Sequence, residues 1–224
     1  SVAAECRQIF GVGGDIYEIR DLGAEGLFVA VADVSGKGMA AALLMSSFLA
    51  SLRLLLPAHA ERFDTLAGEL SERLRTPLET PRFVTAFLAI VEDGWLRYVN
   101  AGHNPGFLIR PGAPSAVVLL PSTGTVLGLI PGAHFRKERV PFPPGSFLVL
   151  YTDGLTECAN PAEEELGGER AAAIAAAAAA GAGAGPASVV ERLIGAAEVH
   201  VSGEPFGDDI TVLCVRRRPE TPKT

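Results

Sequence analysis

The fold is decided by residues 15–33, DIYEIRDLGAEGLFVAVAD, in which two apolar runs flank a turn-forming centre. If Asp15 faces Asp33 across an antiparallel pair, the midpoint falls at Ala24, inside a glycine-containing segment that suits a hairpin turn. The hairpin would then begin and end in an aspartate. The stretch therefore predicts a β-hairpin with two carboxylates at its open end.

Two later apolar runs carry aspartates in equivalent places. Asp153 closes the run of residues 147–152, and Asp208, followed by Asp209, opens the run of residues 210–215. Antiparallel pairing would gather these carboxylates at one edge, where like charges repel one another. A hard divalent cation bound through oxygen, Mg²⁺ or Mn²⁺, would relieve that repulsion. A single Asp at a strand end is more simply explained as a turn former, so the hypothesis depends on the whole set.

Glycines stand beside these acidic residues. Gly14 precedes Asp15 and Gly154 follows Asp153, which lets the backbone approach a common point closely. The turn of residues 35–38, SGKG, leads into a helix N-terminus, a place suited to anions. A metal cluster needs such close backbone approach, whereas an ordinary turn does not.

Helices and strands come in pairs along the rest of the chain. Helical periodicity marks residues 37–56, a helix that Pro57 is expected to end, and then residues 61–75. A second hairpin is predicted over residues 83–99. The later predicted elements are strands at residues 107–109, 116–120 and 135–140 and helices at residues 171–180 and 188–197. Paired rather than alternating elements favour an α+β fold with antiparallel sheets.

Composition limits the classes of function. The 224 residues are 48% hydrophobic and 20% charged, as in a single globular domain. A net charge of -7 argues against a nucleic-acid surface. Cys6, Cys158 and Cys214 have no C-x-x-C spacing, which argues against a disulfide framework or zinc ribbon and favours the cytoplasm. No stretch is predicted to insert into a membrane or to act as a signal peptide.

Five motifs carry a family resemblance. In chain order they are GGDIY at residues 13–17, VADVSGKG at 31–38, NAGHNP at 100–105, YTDGLTE at 151–157 and GDDIT at 207–211. Together they resemble the SpoIIE/RsbU-type branch of the PPM (PP2C-like) metal-dependent serine/threonine phosphatases. The resemblance implies an α+β fold, a four-layer α-β-β-α sandwich of two antiparallel sheets flanked by paired helices. The phosphatase domain would span residues 1–218, with residues 219–224 as a C-terminal tail.

The resemblance also implies two Mn²⁺ or Mg²⁺ ions as cofactors. By match to the family's motifs, Asp33 would bridge both ions, and the backbone carbonyl of Val34 would bind one of them. Asp153 and Asp208 would hold the other ion. Asp15 would act on the metal site directly or through coordinated water.

Four further residues of the motifs have supporting or open roles. Asp209 stands where many relatives carry Asn and is expected to support the ligands, as is Gly154. Lys37 would either contact phosphate or lie solvated at the helix start. His103, which the second hairpin brings close to Thr85, fits a turn whose imidazole satisfies local backbone groups. A general acid is unassigned, because the chain lacks the His that the better-known PP2C pattern has shortly after the bridging Asp.

The implied reaction is hydrolysis of phosphoserine or phosphothreonine by a metal-bridging hydroxide, with no protein nucleophile. The absence of a G-x-S-x-G motif agrees with this. The expected substrate is an anti-sigma-factor antagonist in bacterial stress signalling, and a start at Ser1 without Met suggests an upstream sensor domain in a longer protein. Two alternatives stay open: a catalytically weak, PP2C-like regulatory binding module, and a metal-dependent hydrolase of small phosphate esters.

Overall fold

The computed structural model describes residues 1–9, 13–59, 62–75, 82–113 and 116–218. In chain order the elements are β1 (Val2–Arg7), β2 (Ile16–Asp21), β3 (Leu27–Val34), α1 (Met39–His59), α2 (Phe63–Leu74), β4 (Val84–Val91), β5 (Trp95–Ala101), β6 (Gly106–Ile109), β7 (Val117–Leu120), β8 (Glu138–Pro141), β9 (Phe147–Tyr151), α3 (Asp153–Thr156), α4 (Gly168–Ala180), α5 (Pro186–His200) and β10 (Ile210–Arg216). The predicted tail, residues 219–224, lies outside the described residues.

Two five-stranded antiparallel sheets form the centre of the fold. Sheet I has the strand order β2-β3-β4-β5-β8, and sheet II has the order β1-β10-β9-β6-β7. Side chains such as Phe87 and Leu148 fill the space between the sheets. Helices α1 and α2 pack on the outer face of sheet I, while α4 and α5 pack on sheet II. The predicted α-β-β-α sandwich is therefore confirmed.

Both predicted hairpins form in the predicted register. Ile16 pairs with Ala32, which brings the strand ends at Asp15 and Asp33 together. The 3-10 turn Gly23–Glu25 closes this hairpin. In the second hairpin Val91 pairs with Leu96 across the Asp-Gly turn. Alternation of apolar residues sets these registers, since a slip by one residue would turn each buried face to solvent.

Sheet II brings the later aspartates to the same edge as the first hairpin. Strand β10 pairs antiparallel with β9, with Val212 opposite Tyr151, so the start of β10 lies beside the end of β9. Asp208 and Asp209 immediately precede β10, and Asp153 follows β9. The chain passes from sheet I to sheet II at residues 102–105, also at this edge.

Helix α4 differs from α1 and α2 in the size of its buried side chains. On sheet I, Phe48 and Leu52 of α1 and Phe63 of α2 are fully buried, and the Phe63 ring lies edge-on to Phe28 at 6.0 Å between centroids. On sheet II, α4 buries only alanines. Small side chains let the α4 backbone approach its neighbours closely, at the cost of less apolar area per residue.

Two predictions of element ends are wrong. Helix α1 continues through Pro57 to His59, because a proline in the last turn removes only one intrahelical hydrogen bond. The predicted strand over residues 135–140 is irregular in its first half, and β8 starts only at Glu138. Phe135 instead packs into the core beneath α1 and α2, so its burial does not require a strand.

One helix within the described residues, α1, is long and apolar enough by length and composition to cross a membrane. Its 21 residues include an 18-residue window of mean hydropathy 1.9. A core helix passes the same test, and α1 buries Phe48, Leu52 and Leu56 against sheet I. Length and hydropathy alone therefore do not assign α1 to a bilayer.

Candidate metal centre

Carboxylates from both sheets face one surface cavity at the shared edge of the sandwich. The cavity has a volume of about 230 Å³. Its lining includes Asp33, Val34, Asp153, Asp208, Asp209 and the loop of residues 35–38. Asp33 ends sheet I, whereas the three other aspartates come from sheet II, so neither sheet alone could build this site. The predicted convergence of acidic residues is present in the fold.

Burial and nearby negative charges raise the pKa values of Asp33 and Asp153. Burial raises the pKa of Asp33 to about 7, and the charges of Asp153 and Asp208 add to the rise. The pKa of Asp153 is also raised, by burial first and then by the charge of Asp208. A bound cation would stabilise the ionised form of these carboxyls more than solvent does, as is typical of a metal site.

Asp15 lies beside Asp33, outside the lining of the cavity. Its side chain is only 3% exposed, and burial raises its pKa to about 8, with the charge of Asp33 as a further cause. The Thr152 hydroxyl donates a hydrogen bond of 2.6 Å to Asp15 Oδ2. This position suits a role through water better than direct contact with an ion, and the ligand role of Asp15 stays a prediction.

Thr152 is a site residue that the sequence did not reveal. Its side chain is fully buried, and its hydroxyl accepts the Thr211 backbone N–H at 2.9 Å. With that lone pair occupied, the hydroxyl proton points to Asp15 and fixes the carboxylate's orientation. Thr152 directly precedes Asp153 in the sequence, but a threonine at the end of an apolar run is usually interpreted as a strand residue that packs in the core.

The Asp209 carboxylate is buried and accepts hydrogen bonds from two backbone N–H groups. It is only 6% exposed, and its carboxylate accepts the N–H groups of Ile9 at 2.8 Å and Gly14 at 3.1 Å. A Cβ at Gly154 would stand 2.0 Å from the Asp209 carbonyl oxygen, so this approach requires glycine. These contacts suit the supporting roles predicted for Asp209 and Gly154.

Lys37 pairs with a candidate metal ligand. Its Nζ lies 2.8 Å from Asp208 Oδ2 and donates to the Gly207 carbonyl, also at 2.8 Å. The hydrogen bond to Asp208 raises the pKa of Lys37. The lysine is therefore ion-paired at the helix start, with its side chain half exposed, and its contact with phosphate stays a prediction. It is a cation already present beside the carboxylates.

The donor set fits a hard divalent cation, although the side chains are not arranged around one. Carboxylate and carbonyl oxygens line the cavity, and these are the ligands that Mg²⁺ and Mn²⁺ prefer. Within the part of the chain that the structure describes, no three His, Cys, Asp or Glu side chains stand together so that they could hold an ion. Asp208 is turned toward Lys37 and Asp15 toward Thr152. An ion at this site would share the Asp208 carboxylate with Lys37 or take the place of the lysine.

His103 is buried behind the cavity with both ring nitrogens engaged. Nε2 lies 3.0 Å from the Tyr151 carbonyl oxygen, and Nδ1 lies 2.9 Å from the Thr85 hydroxyl. Burial lowers the pKa of His103 to about 4, so the ring is neutral near pH 7. The contacts suit the structural role considered from sequence. A neutral ring with no free nitrogen offers no proton to a leaving group.

Arg82 was also not predicted from the sequence, and it braces the loop that leads into α1. Its Nη1 donates to the Ser35 carbonyl at 3.0 Å. A Cβ at Gly36, where φ is +93°, would stand 2.3 Å from the same nitrogen. Arg82 thus holds the turn after Asp33 against the strand that follows α2.

Comparison with known proteins matches this architecture. A family model described as Stage II sporulation protein E (SpoIIE) matches residues 23–218. Protein IcfG of Synechocystis sp. is 27% identical over 235 residues, which cover 92% of this chain and 36% of that protein. Phosphoserine phosphatase RsbU of Bacillus subtilis is 29% identical over 150 residues, 66% of this chain and 44% of RsbU. The chain spans less than half the length of either relative.

A solved structure gives the same result for the fold. The SiaA-PP2C domain of Pseudomonas aeruginosa superposes with a TM-score of 0.82 at 23% sequence identity. The match covers 96% of this chain and 85% of the SiaA-PP2C chain. The two antiparallel sheets and flanking helices are therefore those of a PP2C-like domain.

Proposed function

The chain belongs to the SpoIIE family, and on that premise we propose that it is a metal-dependent protein phosphatase acting on phosphoserine or phosphothreonine. The observation that carries the proposal is the meeting of Asp33, Asp153 and Asp208 at one surface cavity. The alignment with phosphoserine phosphatase RsbU over 66% of this chain supports the reaction class. A protein phosphatase needs its site at the surface, because the phosphorylated side chain belongs to a folded partner.

Two Mn²⁺ or Mg²⁺ ions would be held by Asp33, the Val34 carbonyl, Asp153 and Asp208, with Asp15 acting directly or through water. When bound, the ions would supply Lewis acidity and positive charge for the transferring phosphoryl group. The chain's own part is to hold these oxygens in place against their mutual repulsion. Burial and the Thr152 hydroxyl do this for Asp15.

Lys37 and the start of α1 would act on the phosphate. Lys37 lines the cavity, and its ammonium group becomes available to a phosphate oxygen once Asp208 turns to an ion. The turn of residues 35–38 also lines the cavity, and α1 begins at Met39 with no acidic residue in its first turn. The N–H groups of that turn favour an anion.

The finer proposal concerns the substrate and its setting. We propose a phosphorylated anti-sigma-factor antagonist as substrate, in the cytoplasm, with a sensor domain upstream in a longer protein. Membership of the SpoIIE family and the similarity to RsbU support this setting. The lengths of IcfG and RsbU, of which the matched segments are 36% and 44%, leave room for further domains in such proteins.

A second candidate function is a regulatory binding module with weak catalysis. The observation that favours it is the Lys37–Asp208 pair, which occupies a carboxylate that the reaction would need. In such a module the fold would present the edge of the sandwich to a partner protein. Turnover would then be negligible even where ions bind.

The rate of phosphate release in a Mn²⁺ titration separates these functions. A phosphatase should hydrolyse a phosphoserine protein or peptide, and Asp153→Asn should abolish that hydrolysis while Asp93→Asn, at the opposite end of the sandwich, should not. A chain that binds Mn²⁺ but releases no phosphate from any substrate would be a binding module. Hydrolysis of an aryl phosphate alone would indicate a hydrolase of small phosphate esters.

A further inference from the structure

His103 lies where the chain passes from sheet I to sheet II, and its ring joins the two sheets. On one side Nδ1 lies 2.9 Å from the hydroxyl of Thr85, on strand β4 of sheet I. On the other side Nε2 lies 3.0 Å from the carbonyl oxygen of Tyr151, on strand β9 of sheet II. The side chain is only 5% exposed, so water does not compete for either contact.

The chemistry of the two partners determines the state of the ring. A backbone carbonyl can only accept a hydrogen bond, so Nε2 carries the proton. Nδ1 of the neutral ring is then the acceptor, and the Thr85 hydroxyl donates to it. The imidazole is thus held as a single tautomer, with one donor for sheet II and one acceptor for sheet I.

Each of these partners is close in the backbone to a candidate metal ligand. Thr85 is the direct register partner of Asp33 in the antiparallel pair of β3 and β4. Tyr151 is the last residue of β9, two residues before Asp153. A change in the length of the Thr85–His103–Tyr151 bridge would therefore change the separation of Asp33 and Asp153.

The ring cannot easily move, because its own loop is fixed. The backbone N–H of His103 donates to the Asn100 side chain at 2.8 Å. Gly102 has a φ of +65°, and a Cβ there would stand 2.6 Å from a methyl carbon of Val126. The loop backbone is therefore held in place on both sides of the His103 ring.

From these contacts we propose that His103 is a positioning residue that sets the spacing of Asp33 and Asp153 across the two sheets. The bridge itself follows from the fold, whereas its effect on the reaction rests on the proposed phosphatase function. The ring does not touch the reacting atoms, and it acts only through Thr85 and Tyr151. Replacing it should therefore weaken metal binding, not remove a proton donor.

Two substitutions at His103 separate its hydrogen bonds from its volume. His103→Gln keeps one donor and one acceptor, whereas His103→Leu fills similar space with neither. We expect His103→Leu to weaken Mn²⁺ binding, measured by calorimetry, by about tenfold or more, the usual cost of losing a group that orients metal ligands. His103→Gln should stay within a few-fold of the wild type. Equal affinity in the wild type and His103→Leu would overturn the proposal.

Two further measurements keep the proposal testable if His103→Leu does not fold. Thr85→Val removes the hydroxyl that donates to the ring and that also lies 3.4 Å from the Asp33 carbonyl oxygen. This variant should also weaken Mn²⁺ binding, while Thr65→Val on α2 should not. Nitrogen NMR at pH 7 should show the ring of His103 protonated at Nε2 alone. An imidazolium or the Nδ1–H tautomer would contradict the bridge.

Activity distinguishes positioning from proton donation. Loss of position should reduce kcat/KM by similar factors for a phosphoserine peptide and for an aryl phosphate, because both need the same ions. A selective loss of about a hundredfold on the peptide would assign His103 as the proton donor, since a serine alkoxide needs a proton and an aryloxide hardly does. That outcome would overturn the positioning role.

Failure of the proposed function has a different signature. A wild-type chain that binds no Mn²⁺ would refute the metal centre whatever the state of His103. The amide signals of Val34 and Gly154 in the metal-free protein would then decide the bridge. Their displacement in His103→Leu but not in His103→Gln supports spacing control, and unchanged signals in both variants refute it.

Discussion

The β4–β5 turn and the cavity lie at opposite ends of the sandwich, and their acidic residues differ in how they are paired. At the end away from the cavity, the β4–β5 turn carries Glu92 and Asp93, and each has an arginine partner. Glu92 pairs with Arg97 and, at 3.8 Å, with Arg139. Asp93 pairs with Arg217 at 2.5 Å. Each acidic residue of this turn is therefore paired within the chain.

At the cavity end, like charges are gathered and only partly matched. Asp33, Asp153, Asp208 and Asp209 line one cavity, and Lys37 is the one lysine among its lining residues. Burial and the negative charges of neighbouring aspartates raise the pKa values of Asp33 and Asp153. The concentration of carboxylates at the cavity, in contrast with the paired acidic residues of the β4–β5 turn, supports the proposed cation site.

The largest expected difference between the two ends is in reaction rate. Asp33→Ala or Asp153→Ala should reduce kcat/KM for a phosphopeptide by at least about a hundredfold, by analogy with loss of one transition-state-stabilising group. Asp93→Ala and Glu25→Ala, far from the cavity, should stay near the wild-type rate. Circular dichroism would confirm that the variants are folded. Equal rates in all four variants would mean that the measured turnover comes from elsewhere.

Metal-linked stability should also separate the two ends. If the carboxylates bind Mn²⁺, a concentration a hundred times Kd should stabilise the protein by about 2.7 kcal/mol, because the ion binds only the folded state. Scanning calorimetry with Mn²⁺ or with chelator measures the gain, which should vanish in Asp33→Ala and persist in Asp93→Ala. An unchanged transition in the wild type would exclude a metal centre at this edge.

The pH dependence of the metal-free protein should show the smallest effect. Folding raises the pKa values of Asp15 and Asp33 from 3.8 to about 8 and about 7. A raised pKa contributes stability that is complete below the unfolded value and is lost as pH rises through the folded value. With chelator present, the Tm should therefore fall between pH 4 and pH 8.

Two variants test the origin of that slope. Asp15→Asn cannot ionise at this position, so it should flatten the fall in Tm, whereas Asp93→Asn should leave it unchanged. Saturating Mn²⁺ should oppose the fall, because metal binding favours the deprotonated carboxylates and strengthens as pH rises. A metal-free Tm that rises through this range would contradict the burial of both carboxyls.

Local patterns predicted the parts of the fold that depend on neighbouring residues. The hairpin of β2 and β3 was predicted in register, because alternation sets the buried face and a glycine-containing turn sets the midpoint. The predicted end of α1 and the strand predicted over residues 135–140 were wrong, because a last turn loses only one hydrogen bond at Pro57 and because Phe135 is buried without a strand. Helix and strand propensities are weak predictors of where an element ends, because tertiary contacts override them.

The order of the acidic residues and the strand ends that carry them follow from local sequence patterns. Their partners depend on the closed sandwich: Thr152 donates to Asp15 across 137 residues, and Lys37 donates to Gly207 across 170. The tautomer of His103 and the raised pKa of Asp33 likewise depend on burial between two sheets. Local patterns carry no such information, because hydrogen-bond direction and desolvation depend on groups brought together only when the sandwich closes.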